Sequence, residues 1–296
     1  MRCRATPLPP ETVVPAEQVV ARARTEVSER ARRAAQRRWG GVWPRLPAAL
    51  VLTALAAFLL ARWPLREKLL VAMGGVCVLR PSHSYFAGGT QLPLEARMTG
   101  IYGGFTLAIV LLLAFRRVGA RRLATTPVIS VLGLGFAAMV FDGVNSTLAE
   151  AGLPHLYTPR NALRLATGLL SGTALAPVLL WLLNTVAVPG TRAAERSVLR
   201  SPWEVGVSAL FAALVVSEHP LSYGPVALLS VAGVVALATS AALLLVVLVG
   251  GLDGRITHRR QLLAPGGVAL LLALGLLARA ATVRWTLLDG VLGGSV

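Results

Sequence analysis

Three ionisable residues, Arg97, Asp142 and Arg164, stand at the edges of long apolar runs. A charge at such an edge sits where hydrocarbon meets water, and there it either pairs with an opposite charge or marks a site. Two arrangements fit these residue types. Asp142 can bridge to Arg97 or Arg164 and lock helix ends together, or the two arginines can grip an anion, because a planar guanidinium fork matches phosphate or carboxylate. Gln91, Glu95, Asn145 and Asn161 lie close by in sequence and add hydrogen-bonding groups, while Asp142 and His83 are the candidates for a general acid or base. His83, His155, His219, Glu95 and Asp142 carry metal-ligating chemistry, but no pair has the short helical spacing of zinc motifs, so no metal site is assigned. Ser82 and Ser84 flank His83 without a nucleophile-elbow pattern, and no Walker loop, dinucleotide fingerprint or kinase signature occurs. Cofactors are left unknown.

The elements that must position these residues are membrane spans. Of 296 residues, 55% are hydrophobic and 14% are charged, and the mean hydropathy is +0.68. This composition defines an all-α, polytopic integral membrane protein and excludes an ordinary soluble domain. A helix needs about 20 apolar residues to cross the hydrocarbon. Seven stretches qualify: Leu46 to Ala61, Met98 to Phe115, Leu123 to Phe141, Leu165 to Thr191, Pro202 to Ser217, one helix within Pro220 to Leu252, and Gln261 to Ala278. Trp43 and Trp63 bracket the first at interfacial positions. The second, third, fourth, sixth and seventh contain no formal charge, which speaks against a proton relay through them. The shorter run Leu69 to Leu79 reads as a half-helix or interfacial segment. The stretch from Pro220 to Leu252 is too long for one perpendicular helix, so part of it is loop or the helix tilts.

Orientation follows from the basic residues, which resist translocation. With the N-terminus in the cytoplasm, only nine of 29 fall outside: Arg62, Arg66, Lys68, Arg80, Arg97, Arg160, Arg164, Arg279 and Arg284. The remainder lie inside, in the N-terminal arm, at Arg116, Arg117, Arg121 and Arg122, at Arg192, Arg196 and Arg200, and at Arg255, Arg259 and Arg260. An odd number of spans then puts the C-terminus outside. The net charge of +16 is thereby explained by topology, and no nucleic-acid partner is implied. The same topology brings the loop Arg80 to Thr99, the loop Asp142 to Arg164 and the Glu218–His219 pair to one outer face.

Residues 1–45 form a basic cytoplasmic arm and 46–296 the transmembrane domain. Within the arm, Val20, Ala23, Val27, Ala31 and Ala34 recur at three- and four-residue steps against an arginine-rich face. Such a helix either lies on anionic headgroups or stands solvated. Cys3 and Cys77 are too few and too distant for a disulfide framework. Gly100 and Gly104 in one span, and Gly168 and Gly172 in another, have the spacing that lets helix backbones approach in lipid.

Three segments carry a family resemblance: "CVLRPSHSYFAGGTQLPLEARMTGIYGGF", "FDGVNS" and "NALRLATGLLSG". In order and spacing they are similar to the uncharacterised prokaryotic membrane proteins grouped as domain of unknown function family 2085, over about Cys77 to Gly172. What matches, residue by residue, is Cys77, Ser84, Phe86, Gln91, Arg97, Thr99, Gly100, Tyr102, Asp142, Gly143, Asn161, Arg164, Thr167 and Gly168. The family's two cysteines flanking the arginine are Glu95 and Met98 here, so thiol chemistry does not transfer. The Asp-Gly, Asn-x-x-Arg and Gly-x-x-x-Gly order is also similar to VanZ-type membrane proteins. The resemblance implies no activity; it marks a location, and it adds Tyr102 to Arg97, Arg164, Asp142, Asn161 and Gln91 as expected ligand-binding residues.

The leading expectation is a multi-pass protein of the cell inner membrane whose outer-face pocket binds an anionic lipid or lipid-linked phosphate. A membrane-embedded enzyme acting on such a lipid, a small-solute transporter and a structural or assembly subunit are the alternatives. Beyond the bilayer and its headgroups, partners and oligomeric state are not specified by the sequence.

Overall fold

The structure, a computed structural model, describes residues 16–39, 45–117, 126–187, 203–252, 256 and 259–292. Expectations placed on the first 15 residues including Cys3, and on Arg121, Arg122, Arg192, Arg196, Arg200 and Arg255, lie outside the described residues. Nine α-helices dominate those described: α1 (Ala16–Trp39), α2 (Arg45–Leu60), α3 (Leu65–Met73), α4 (Ala96–Ala114), α5 (Thr126–Glu150), α6 (Asn161–Ala187), α7 (Trp203–Val216), α8 (Tyr223–Val249) and α9 (Leu263–Leu292). Five are long and apolar enough to cross a membrane, namely α4, α5, α6, α8 with the turn before it, and α9 as far as Leu287. The other two expected spans form shorter apolar helices, α2 with 16 residues and α7 with 14.

The helix ends differ from expectation in one systematic way. Asp142 does not follow the third span; α5 runs on through it to Glu150. Likewise α6 begins at Asn161, so Arg164 lies within its first turn, and α4 begins at Ala96, so Arg97 is helical. The expectation of charge-free spans therefore fails for α4, α5 and α6, and also for α9, which contains Arg279 and Arg284. An ion ends a hydropathy run but not a helix, since the backbone ladder continues and an ion is tolerated where a partner meets it. The uncharged stretch after Pro220 becomes a three-residue 3-10 turn and the 27-residue α8. At 1.5 Å per residue, α8 is about 40 Å long, about 10 Å more than a typical hydrocarbon core.

Helix α4 is the hub of the fold. It packs most extensively on α6, and α8 covers another of its faces. The two glycine pairs face each other here. A Cβ on Gly100 would strike the Leu165 carbonyl oxygen, one on Gly104 that of Leu169, one on Gly168 that of Arg97, and one on Gly172 that of Ile101. Helices α4 and α6 thus meet backbone to backbone along two turns, with no side chain between them. On the α8 side, Gly233 presses on the Tyr102 carbonyl, and the Thr106 hydroxyl donates to the Leu229 carbonyl at 2.8 Å. By contrast α5 rests chiefly on α6, and at one end its Val128 and Leu132 cluster with Leu112 of α4 against Leu170 and Trp181 of α6.

The run Leu69 to Leu79 divides: α3 stops at Met73, a turn follows, and Cys77 to Arg80 are non-helical. Arg284 of α9 seals this end, donating to the Gly74 carbonyl at 2.8 Å, to the Val78 carbonyl at 2.6 Å and to the Cys77 carbonyl. Those oxygens include orphan acceptors of a helix C-terminus, which a guanidinium satisfies well. The segment then enters a hairpin that an all-α reading omits: β1 (Phe86–Ala87) pairs antiparallel with β2 (Thr90–Gln91). Its turn is Gly88–Gly89, both with positive φ, at 56° and 77°, as a two-residue turn matched to strand twist requires.

Candidate functional site

The ends of α4, α5 and α6 converge with the 80–95 loop, and there the ionisable residues gather around two acidic hubs, both on α5. The deeper hub is Asp142, 1% exposed. Arg97 Nη2 donates to its Oδ2 at 2.6 Å and reaches Ser146 Oγ at 3.2 Å, while the Tyr157 hydroxyl donates to Oδ1 at 2.8 Å. Both carboxylate oxygens are thus engaged. Short charge-assisted bonds of this kind are about twice as strong as neutral ones. Tyr157 lies in the loop after α5, and burial together with its bond to Asp142 pushes its phenol above the usual tyrosine range.

Glu150 is the second hub, at the end of α5. It accepts from Arg80 Nη1 at 2.6 Å and from Arg164 Nη2 at 3.5 Å, and His83 Nε2 lies 3.4 Å away. His83 Nδ1 faces Glu95 at 4.0 Å, and Glu95 Oε1 accepts the Arg80 backbone N–H at 2.9 Å. Burial, helped by the Arg164 guanidinium, holds His83 below the ordinary histidine range against the opposing pull of Glu150 and Glu95.

Amide side chains tie the loop to α6. Asn161 donates to the Ser82 and Ser84 carbonyls at 3.1 and 3.3 Å and accepts from Arg164 at 3.2 Å. Gln91 donates to the Ser84 hydroxyl at 2.9 Å and to the Leu79 carbonyl at 3.0 Å. Asn145 performs the same task for the loop after α5, donating to the Tyr157 carbonyl and accepting from the Leu156 N–H, each at 2.8 Å.

Of the residues expected at the site, Arg97, Asp142, Arg164, Asn161, Gln91, His83, Glu95 and Asn145 are brought to this end of the bundle. Tyr102 is not: it packs with Met98 beside Cys77 and Val234. At 100° per residue it lies about 140° around α4 from Arg97, which turns it away from the ions. The other two histidines expected on this face also stay apart. His155 bonds within its own loop to the Leu153 carbonyl, and His219 accepts the Leu221 N–H. Glu218 meets the tip of the hairpin, its carbonyl taking the Gly88 N–H at 2.9 Å. Cys77 is a buried free thiol, and burial pushes its pKa up. Among the described residues no group of three His, Cys, Asp or Glu side chains could hold a metal.

Four participants escaped the sequence reading: Arg80, Ser146, Glu150 and Tyr157. The signal for two of them was present. Asp142, Ser146 and Glu150 recur at four-residue steps in a largely apolar stretch, which is one helical face extended two turns past the first charge.

The lowered pKa of His83 makes stability depend on pH. The unfolded chain takes up the proton near 6.5 whereas the folded chain resists it, so stability is complete above that value and declines as pH falls toward the folded pKa. A lower Tm at pH 5.5 than at pH 7.5 is expected in detergent, with a shallower fall for His83→Gln. An unchanged slope in that variant would assign the dependence elsewhere.

This fold and site define a helical integral membrane protein with an ion cluster at one end of its bundle. The family described as predicted membrane protein, domain of unknown function 2085, has a model that matches residues 77–178, which span the whole cluster. The resemblance read from the three motifs is thus to this family, over about a third of the chain. No curated protein and no solved structure matches.

Proposed function

We propose that the chain is a seven-span protein of the cell inner membrane, with its N-terminus in the cytoplasm and C-terminus outside. Its outer-face cluster would bind the anionic headgroup of a lipid or a lipid-linked phosphate. Seven apolar helices and the asymmetric distribution of arginine support the topology. The observation that carries the binding reading is the state of Arg97. Its Nη2 is committed to Asp142 and Ser146, yet the neighbouring Nε is buried without an acceptor. Leaving a buried donor unpaired costs about 1–3 kcal/mol, and a phosphate or carboxylate oxygen is the acceptor that a guanidinium edge fits best. The Arg97 side chain as a whole is 24% exposed, so a ligand oxygen reaches Nε once the cover over that atom shifts. Arg80, Arg97 and Arg164 are balanced by Glu95, Asp142 and Glu150, so recognition here rests on short-range donation and not on excess positive charge.

Native mass spectrometry of the purified protein tests this. Wild type is expected to retain phosphatidylglycerol over phosphatidylcholine. Arg97→Lys keeps a cation beside Asp142 but loses the planar edge, and should lower that retention about tenfold, the worth of one charge-assisted hydrogen bond. Equal retention of both lipids, or no effect of the variant, would remove the reading.

One observation favours a second reading, acid–base chemistry on such a lipid. The His83 imidazole lies between two carboxylates with 16% of its side chain open. Loss of turnover in His83→Gln with lipid retention intact would select it.

A further inference from the structure

Helix α1 stands outside everything derived so far. It is 24 residues long and makes no packing contact of consequence with the other described elements, and Val19, Val20 and Val27 are at least half exposed. In proteins most of a helix's stability comes from packing an amphipathic face and not from propensity, and no described element packs on this one. Something must therefore cover that face.

Charge and tether identify the cover. The helix has seven arginines and three glutamates, and the acids stop at Glu29: positions 30–38 hold Arg30, Arg32, Arg33, Arg37 and Arg38 with no acidic residue. This basic end is the one joined to the membrane. Only five residues separate Trp39 from Arg45, where α2 begins, and five extended residues reach at most about 18 Å. The basic C-terminal end of α1 is thus held within about 20 Å of the start of α2, close to the surface of the bilayer into which α2 leads. In sequence Trp39 and Trp43 fall at and just after the end of α1, and tryptophan is a residue type enriched at membrane interfaces. On a helical projection Val20, Ala23, Val27, Ala31 and Ala34 fall within one narrow arc, with Gln18 opposite Val27.

We propose that α1 lies flat on the bilayer surface from which α2 enters, its valine–alanine stripe in the acyl boundary and its arginines on anionic headgroups. The binding is lipid-selective because the stripe is thin. Alanine and valine bury little area, whereas each basic residue near an anionic surface contributes about fivefold in partitioning. The helix docks on a negatively charged leaflet and releases from a neutral one.

Spin labels in the full-length protein test this, in a Cys3→Ser, Cys77→Ala background carrying either Val27→Cys or Gln18→Cys. In vesicles of phosphatidylcholine with a quarter phosphatidylglycerol, the label at 27 is expected to gain oxygen accessibility and to lose contact with an aqueous nickel chelate about tenfold. The label at 18 should stay aqueous. In pure phosphatidylcholine, or with Arg32, Arg33, Arg37 and Arg38 all changed to Gln, both labels should report water. Equal aqueous exposure of the two positions on the anionic vesicles would overturn the proposal, as would burial of position 27 that ignores lipid charge. Protection of position 27 by added RNA in neutral vesicles would assign the arginines to another partner and likewise overturn it.

Discussion

Gly172→Leu is expected to prevent accumulation of folded protein. A Cβ at this position would overlap the Ile101 carbonyl oxygen, and the next nearest atoms are also backbone, the Ile101 carbonyl carbon and Cα. A clash with a flexible side chain is relieved by a rotamer change, but here α4 and α6 must separate. Separation would unseat Gly100, Gly104 and Gly168, which make the same close approach, and would pull Arg97 away from α5. Overpacking a core costs about 1–3 kcal/mol where side chains absorb it, so this rigid contact should reach or exceed the upper figure. Gly275→Leu is the control, because nothing lies within 4 Å of a Cβ there. The pair is compared by size-exclusion profile and Tm in detergent. A monodisperse Gly172→Leu protein with wild-type Tm would show that the two helices do not meet as described.

The second large effect is expected at the deeper ion pair, and it is asymmetric. Arg97→Met leaves Asp142, 1% exposed, without its cation, and breaking a buried pair from one side costs about 3–5 kcal/mol. Asp142→Asn should cost less: the amide still accepts from Tyr157, and the partly exposed Arg97 can turn to water. The double variant Arg97→Met, Asp142→Asn removes both charges and should recover much of the loss, since a neutral pair of similar volume often replaces a buried ion pair without penalty. Thermal unfolding of the three variants forms a double-mutant cycle. Additive losses would mean that the two residues do not act as a pair. This measurement is separate from lipid retention, so the structural and ligand-binding roles of Arg97 can be distinguished.

What the sequence revealed of this site depended on which physical signal was strong. Apolar length announces a span, and five of the stretches so identified are helices long enough to cross a membrane, while α2 and α7 are shorter apolar helices. Helix ends are less legible, because Asp142 ends a hydropathy run while being an interior residue of α5 neutralised from α4. The same break conceals Glu150, which lies at i+8 from Asp142 on one helical face. The spacing of Gly100, Gly104, Gly168 and Gly172 signalled close approach, but a glycine carries no information about which helix it meets. Tyr102 was grouped with Arg97 through the family motif alone, although five residues of helix place it on a different side. The histidines outside the 80–95 loop were grouped by topology, whereas short local hydrogen bonds decided where their rings went.

The two hubs on α5 bear on how the protein is made. Helix α4 brings a cation in Arg97, α5 brings two acids in Asp142 and Glu150, and α6 brings a cation in Arg164. Each, entering the bilayer alone, would hold an unmatched ion at or near hydrocarbon, a cost of a few kcal/mol on the insertion scale. Taken as a consecutive triplet they are electrically complete. Biogenesis is therefore favoured when these three segments leave the insertion machinery together, the acids of α5 emerging between the arginine of α4 and that of α6.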